Sequence, residues 1–406
     1  MKSSKVLSLF LITLALFPDG LLAQMELGWF QKASLPGPAR HRATGISIGG
    51  RGYIGLGHIN AVVDVQYKDW WEYDPATNSW TQKADYAGGK RYHAAGFSIG
   101  NLGYVGTGRD TTFSNRRDFW EYNPVTNTWT QKAMFGGQAR RGAVGFSVNG
   151  RGYIGTGSGL SDFWEYNPVT NSWMQRASFP GGGRQSAVGF SIGSRGYIGT
   201  GSSGGNPTGD LWEYNPTNNT WVQKAPLPGL PRMEACGFSY NGFGYVGTGD
   251  NFSSGTNYDD FWRFDPVSNS WVQIQDFGGT ARRYLVGFAI GNRAYAGTGT
   301  NGTNFQDWWE YGNFTGINPP EPGAPLFSVY PNPIVDFATL KTDPEISFTG
   351  LKFQIISLSG KMLREQMLES RETNFETGNL PAGIYFIRLI TGNGILSTQK
   401  IIVAGS

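Results

Sequence analysis

The sequence predicts an all-β chain: a six-bladed β-propeller closed by its own N-terminal strand, followed by a small C-terminal β-sandwich. Three observations carry this expectation. Tryptophans return in phase every forty-odd residues, the composition is rich in glycine and aromatic rings but poor in charge, and near residue 316 the repeat gives way to short alternating strands.

Twelve of the fourteen tryptophans form two series, Trp29, Trp80, Trp129, Trp173, Trp221, Trp271 and Trp71, Trp120, Trp164, Trp212, Trp262, Trp309, with steps of 44 to 51 residues. Other features keep that phase. An arginine stands five residues before a glycine in every unit: Arg40, Arg91, Arg140, Arg184, Arg232 and Arg282. A segment such as Gly152 to Gly157 (GYIGTG) follows, then a variable loop, then a run such as Asp162 to Trp173 (DFWEYNPVTNSW). The unit reads as four strands, A to D. Asn149-Gly150 marks a tight A–B hairpin, and Asn-Pro-x-Thr-Asn marks the C–D turn. One such sheet cannot bury both faces alone, so the repeat implies a ring of blades. The first unit opens on a lone D strand at Trp29 and the sixth ends after its C strand at Tyr311. The N-terminal strand is therefore expected to complete the last blade and remove an open edge.

Composition agrees. Glycine, at 60 residues of 406, is about twice the usual 7% or so, and aromatics at 15% nearly match charged residues at 16%. Short strands, tight turns and rings packed between sheets account for both. A net charge of +3 without a basic run gives no case for nucleic acid. The single cysteine, Cys236, excludes an intramolecular disulfide.

Residues 1–23 read as a secretory signal peptide. Lys2 and Lys5 precede the run Val6 to Phe17, and Leu21-Leu22-Ala23 supplies the small-residue end. Twelve residues are too few to span a bilayer, so the mature protein is expected to have no membrane span. The remaining divisions are the propeller at 24–316, a proline-rich linker at 317–326 and a β-sandwich at 327–406.

These residues resemble the kelch family, whose repeat has a glycine pair after strand B, a tyrosine in C and a tryptophan in D. The pair here is split, as in Gly106-Thr107-Gly108. The tail resembles the type A sorting domain of type IX secretion, found on cargo of Bacteroidetes-type bacteria. The matching elements are Tyr330-Pro331-Asn332-Pro333, Ser359-Gly360-Lys361, Leu380 to Phe386 (LPAGIYF) and Lys400 to Val403 (KIIV). The resemblance implies the secretion machinery as a partner and a secreted or cell-surface destination, through the periplasm and outer membrane.

The D–A and B–C connections share one face, and only there do the blades differ, so a glycan or protein ligand is expected on it. The candidate binding residues are the non-repeated neighbours of the repeat arginines, His41, Arg42, Tyr92, His93, Arg141, Gln185, Glu234, Arg283 and Tyr284, with the loop rings Tyr67, Phe113, Tyr258 and Phe305, which are expected to be exposed. The six repeat arginines are expected to serve the repeat by pairing with Asp69, Asp118, Asp162, Asp210, Asp260 and Asp307. Glu234 is expected to answer Arg263 or a neighbouring arginine as a local ion pair.

Catalysis is the alternative. Cys236 inside strand A and three scattered histidines, His41, His58 and His93, do not make a copper or other metal site, and no cofactor is expected. The S-x-D-x-G-x-x-W turns of sialidases are absent. Some secreted kelch propellers are sialic acid mutarotases, which need an acid/base pair and an arginine for the carboxylate; for that reading Glu234 or His93 would serve the acid/base step and an arginine at the mouth would hold the carboxylate.

Overall fold

The computed structural model describes residues 27–59, 65–251, 255–313, 327–342, 350–357, 361–378, 380–391 and 394–404. The expected signal peptide and linker lie outside the described residues. The chain divides into two compact units, one of them Leu27–Gly312 and the other containing Asn313–Ser406.

The first unit is a propeller of six four-stranded antiparallel sheets. The third blade shows the plan: strand A is Val144–Val148, B is Arg151–Gly155, C is Phe163–Asn167 and D is Ser172–Arg176, paired in that order. In the sixth blade Leu27–Lys32 takes the outer place beside Trp308–Asn313, followed by Arg293–Gly297 and Val286–Ile290. The N-terminal strand thus closes the ring. Its end is tied to the first blade as well, because the Ala33 amide donates to Asn78 Oδ1 at 2.9 Å and the Trp80 indole donates to the Ala33 carbonyl at 2.8 Å.

Packing between blades is aromatic. Phe163 of the third blade meets Tyr214 and Trp221 of the fourth edge-on, with centroids 4.8 and 5.0 Å apart. Each such pair adds about 0.5–1.5 kcal/mol beyond area burial. The turn asparagine explains the fixed C–D sequence. Asn219 holds a left-handed φ of 54°, accepts the Tyr214 hydroxyl at 2.8 Å and receives the Ala177 amide of the preceding blade at 2.9 Å.

The split glycine pair forms a second set of stitches. The later glycine of each pair donates its amide to the carbonyl of the next blade's repeat arginine. Gly57 reaches Arg91, Gly108 Arg140, Gly157 Arg184, Gly201 Arg232, Gly249 Arg282 and Gly299 Arg40, at 2.7 to 2.9 Å. The last of these runs from the sixth blade to the first. Gly108 has φ 86°, and a Cβ there would lie 2.9 Å from Arg91 Cγ and from the Tyr92 carbonyl oxygen, so only glycine fits. The six A strands line the central channel.

In the second unit, Phe327–Tyr330, Phe337–Thr342 and Glu372–Glu376 form one sheet. Met362–Met367, Lys352–Ile356, Gly383–Thr391 and Gly394–Val403 form the other. Leu340 and Phe375 of the first share a core with Phe353, Ile387 and Ile401 of the second, and the Phe353 and Phe375 rings are 5.2 Å apart. The tail motifs have structural work. Asn332 receives the Ile402 amide at 2.8 Å and donates to the Lys400 carbonyl at 3.1 Å, which ties Tyr330 to Pro333 to the final strand. Tyr385 donates its hydroxyl to the Pro381 carbonyl at 2.7 Å. Among the described residues no helix is long and apolar enough to cross a membrane.

Candidate functional site

The repeat arginines are buried beneath the variable face and spend their donors inside their own blades. Arg140 donates to both oxygens of Asp162 at 2.7 and 2.6 Å, to the Thr156 carbonyl at 2.8 Å and to the Gln138 carbonyl at 3.0 Å. Trp164 adds an indole donor to Asp162 at 2.7 Å. Arg40–Asp69, Arg91–Asp118, Arg184–Asp210, Arg232–Asp260 and Arg282–Asp307 repeat the pair. Burial would raise the Asp162 carboxyl, but the bonds from Arg140 and Trp164 outweigh it and hold the group below its ordinary range.

Three of the loop rings differ from the sequence expectation of exposed contacts. Tyr67, Tyr258 and Phe305 are half-buried lids lying 4.5, 4.7 and 3.6 Å from the guanidinium carbons of Arg40, Arg232 and Arg282. The reason is that a planar cation buried at each blade attracts a ring face. Phe113 is exposed, at 55% of its surface.

Two residues after each repeat arginine, the chain enters the left-handed region at the channel mouth. The six residues there are Arg42, His93, Gly142, Ser186, Glu234 and Tyr284, with φ between 55° and 63°. Their backbones form a chain of hydrogen bonds around the opening. His93 donates to Arg42, Gly142 to His93, Ser186 to Gly142, Glu234 to Ser186 and Tyr284 to Glu234, at 2.8 to 3.0 Å. Five side chains and one gap at Gly142 therefore stand at equivalent places around one hollow. The repeat has no identity at this position, and the mouth takes its chemistry from it.

That chemistry is concentrated on one side. Arg42 donates to the Tyr284 hydroxyl at 2.6 Å and lies 2.9 Å from His58 Nε2, while Tyr284 donates to Oε1 of Glu234. Arg283 approaches Oε2 of Glu234 at 3.1 Å and Oδ2 of Asp250 at 3.4 Å. The arginine that faces Glu234 is thus Arg283 of the neighbouring blade. Arg263 instead stacks over Phe243 at 4.6 Å. Burial and the nearby Asp250 push the Glu234 carboxyl up to about 8, against the pull of Arg42 and Arg283. Asp250 is also raised by burial, and its Oδ1 has no hydrogen-bond partner.

The three histidines are not scattered; blade geometry gathers them at this mouth. The His41 and His58 rings are 4.3 Å apart, His58 stacks on Tyr92 at 4.1 Å, and His93 lies 5.0 Å from Tyr284. They do not form a metal centre among the described residues. His41 Nδ1 is bonded to Asn304, and burial with His58 and Arg42 nearby pushes its imidazole down to about 3. His93 is lowered by burial and by Arg42 and Arg141. Both are neutral rings near pH 7. Cys236 is buried in strand A, and burial raises its thiol.

Sequence reasoning missed Asp250, Asn304, Ser186 and Arg109. Asp250 and Arg109 directly follow the split glycine pair, and that offset was the available signal.

Comparison with known proteins bears on both units. Residues 328–404 match the family described as the secretion system C-terminal sorting domain. The tail is a type IX sorting domain. No curated protein matches the chain. A solved structure titled "Structure of YjhT" is similar with a TM-score of 0.58 and 18% identity, over 68% of this chain and 95% of that one. This likeness establishes the kelch-type propeller fold. The sorting domain implies interaction with the type IX machinery and export across the outer membrane, to a secreted or surface-attached state.

Proposed function

We propose that this exported propeller is a non-catalytic binding module whose ligand, a glycan, is held at the channel mouth on the D–A/B–C face. The observation that carries the reading is the ring of six left-handed positions, where an otherwise uniform repeat supplies an arginine, a histidine, a gap, a serine, a glutamate and a tyrosine. Glu234, Ser186 and His93 suit the hydroxyl groups of a sugar, and the exposed Phe113 adds ring surface. Left-handed backbone at non-glycine residues costs of order 1–3 kcal/mol each, and such strain clusters at ligand sites. Bacteroidetes-type bacteria are the expected source, since the sorting route belongs to them.

A second reading has its own support. Glu234, held up to about 8 beside Arg283, is a poised acid/base group, as a mutarotase acting on sialic acid would need. One experiment separates the two. The purified chain is screened against a glycan panel, and anomer interconversion of sialic acid is followed by proton NMR. Binding without acceleration is expected. Acceleration lost in Glu234→Gln would overturn the binding module in favour of the enzyme.

A further inference from the structure

Arg109 and Arg141 stand apart from most arginines of the propeller; Arg42 is bonded to Tyr284, Arg263 is stacked over Phe243 and Arg117 is exposed. The repeat arginines, and Arg51, Arg116, Arg151, Arg176, Arg195, Arg283 and Arg293, are paired with carboxylates. Arg109 and Arg141 are half-buried, yet no carboxylate among the described residues pairs with either. They come from adjacent blades and line one hollow with Phe113, Asn115, Ser158 and Gln185. A half-buried cation without a counter-charge gives up part of its solvation with no opposite charge to offset it, and two sharing a hollow raise that cost.

The loop around Arg109 is also fixed in advance. Asp110 accepts from the Thr112 and Ser114 amides at 3.0 Å each and from the Thr112 hydroxyl at 2.8 Å, which folds the turn. Although burial works against it, these bonds and Arg116 hold the Asp110 carboxyl down to about 2. Asp110 is thereby occupied with Arg116 and its own loop. The Arg109 Nε donates to the Phe113 carbonyl at 2.7 Å, leaving its terminal nitrogens for a ligand, and the Phe113 ring lies 5.4 Å from its guanidinium carbon. Arg141 immediately precedes Gly142, the one gap in the mouth ring, so the hollow and the mouth adjoin there.

We propose that Arg109 and Arg141 form an oxyanion subsite that takes the acidic group of the ligand, a carboxylate or a sulfate ester, with Phe113 against the sugar face. The proposal rests on the reading of the mouth as a glycan site and names the class of glycan: acidic. Arg42 and Arg283, the other cations of the mouth, are already engaged with Tyr284 and Glu234, so the charge of the ligand is read on the opposite side of the ring.

The test titrates the full chain by calorimetry with a neutral oligosaccharide, the matched uronate, the matched sulfate ester and inorganic sulfate. An acidic sugar is expected to bind about tenfold or more tighter than its neutral counterpart, the size of one hydrogen bond to a charged group. The double variant Arg109→Ala/Arg141→Ala should erase that preference, with neutral binding falling no further than in Phe113→Ala, and keep the melting temperature, since neither arginine leaves a carboxylate behind. Phe113→Ala should weaken sugars but not inorganic sulfate. Which acidic sugar shows the preference distinguishes carboxylate from sulfate. An intact preference in the double variant, or no preference in the wild type, overturns the subsite while the mouth reading stands. If no sugar binds, the mouth reading fails alone provided that inorganic sulfate binds and the double variant abolishes it; sulfate binding that is absent or unchanged overturns the subsite too.

Discussion

Arg283 crosses from the sixth blade to the fifth and places its Nε 3.1 Å from Oε2 of Glu234. Even so, burial and Asp250 keep the glutamate protonated up to about pH 8. A carboxyl whose folded pKa lies above its unfolded value favours the fold at low pH, and that contribution fades as pH rises through the folded pKa. Between about pH 5 and 8 the wild type should therefore lose stability relative to Glu234→Gln, with no further divergence above. Chemical unfolding midpoints of both proteins across pH 5 to 9 give the answer; parallel curves would show that Glu234 ionises normally.

The buried Arg140 depends on Asp162 for its counter-charge. Asp162→Ala should cost about 3 kcal/mol, because a fully buried guanidinium is left uncompensated. Replacing both with apolar residues, as Arg140→Met/Asp162→Leu, should cost less than the single change. Equal losses in urea denaturation would mean that packing, not charge, governs the site.

Closure of the ring rests on the first described strand. Trp29 sits among Phe261, Phe277 and Tyr311 with centroids 5.0 to 5.1 Å away. Trp29→Ala should destabilise the propeller by about 3–5 kcal/mol, and removing residues 24–34 should do more. A deletion variant that melts with the intact protein would show that the sixth blade does not need its outer strand.

Export should depend on the second unit. A chain ending at residue 325 is expected to stay in the periplasm of its native host, while residues 327–406 fused to a reporter carry it out. Fractionation and immunoblotting distinguish the cases, and normal secretion of the shortened chain would contradict the sorting role.

Much of the fold was legible because a repeat writes its period into the covalent chain. Trp80 and Trp129 announce consecutive D strands, and the lone strand at Trp29 announces closure. The tail was legible through short motifs, and Asn332 shows why: it bonds the last strand across nearly seventy residues of sequence. The mouth was only half legible. His41, His58 and His93 look unrelated along the chain because curvature between blades, not local spacing, brings them together. Tyr258 looked exposed because the partner ring face it offers to Arg232 is set by tertiary packing. The left-handed ring was hidden for a different reason: five of its six positions carry residues that give no hint of that backbone, and Gly142 alone resembles a turn.

The circle of glycine amides has a consequence for how such a protein diversifies. Each link from Gly57 through to Gly299 uses main-chain atoms only, as does the inner chain of bonds at the mouth. Side chains there can be exchanged without breaking a single strut of the frame. The six positions from Arg42 to Tyr284 behave as interchangeable sockets, and a lineage could retool the specificity of the opening one blade at a time while inheriting the scaffold unchanged.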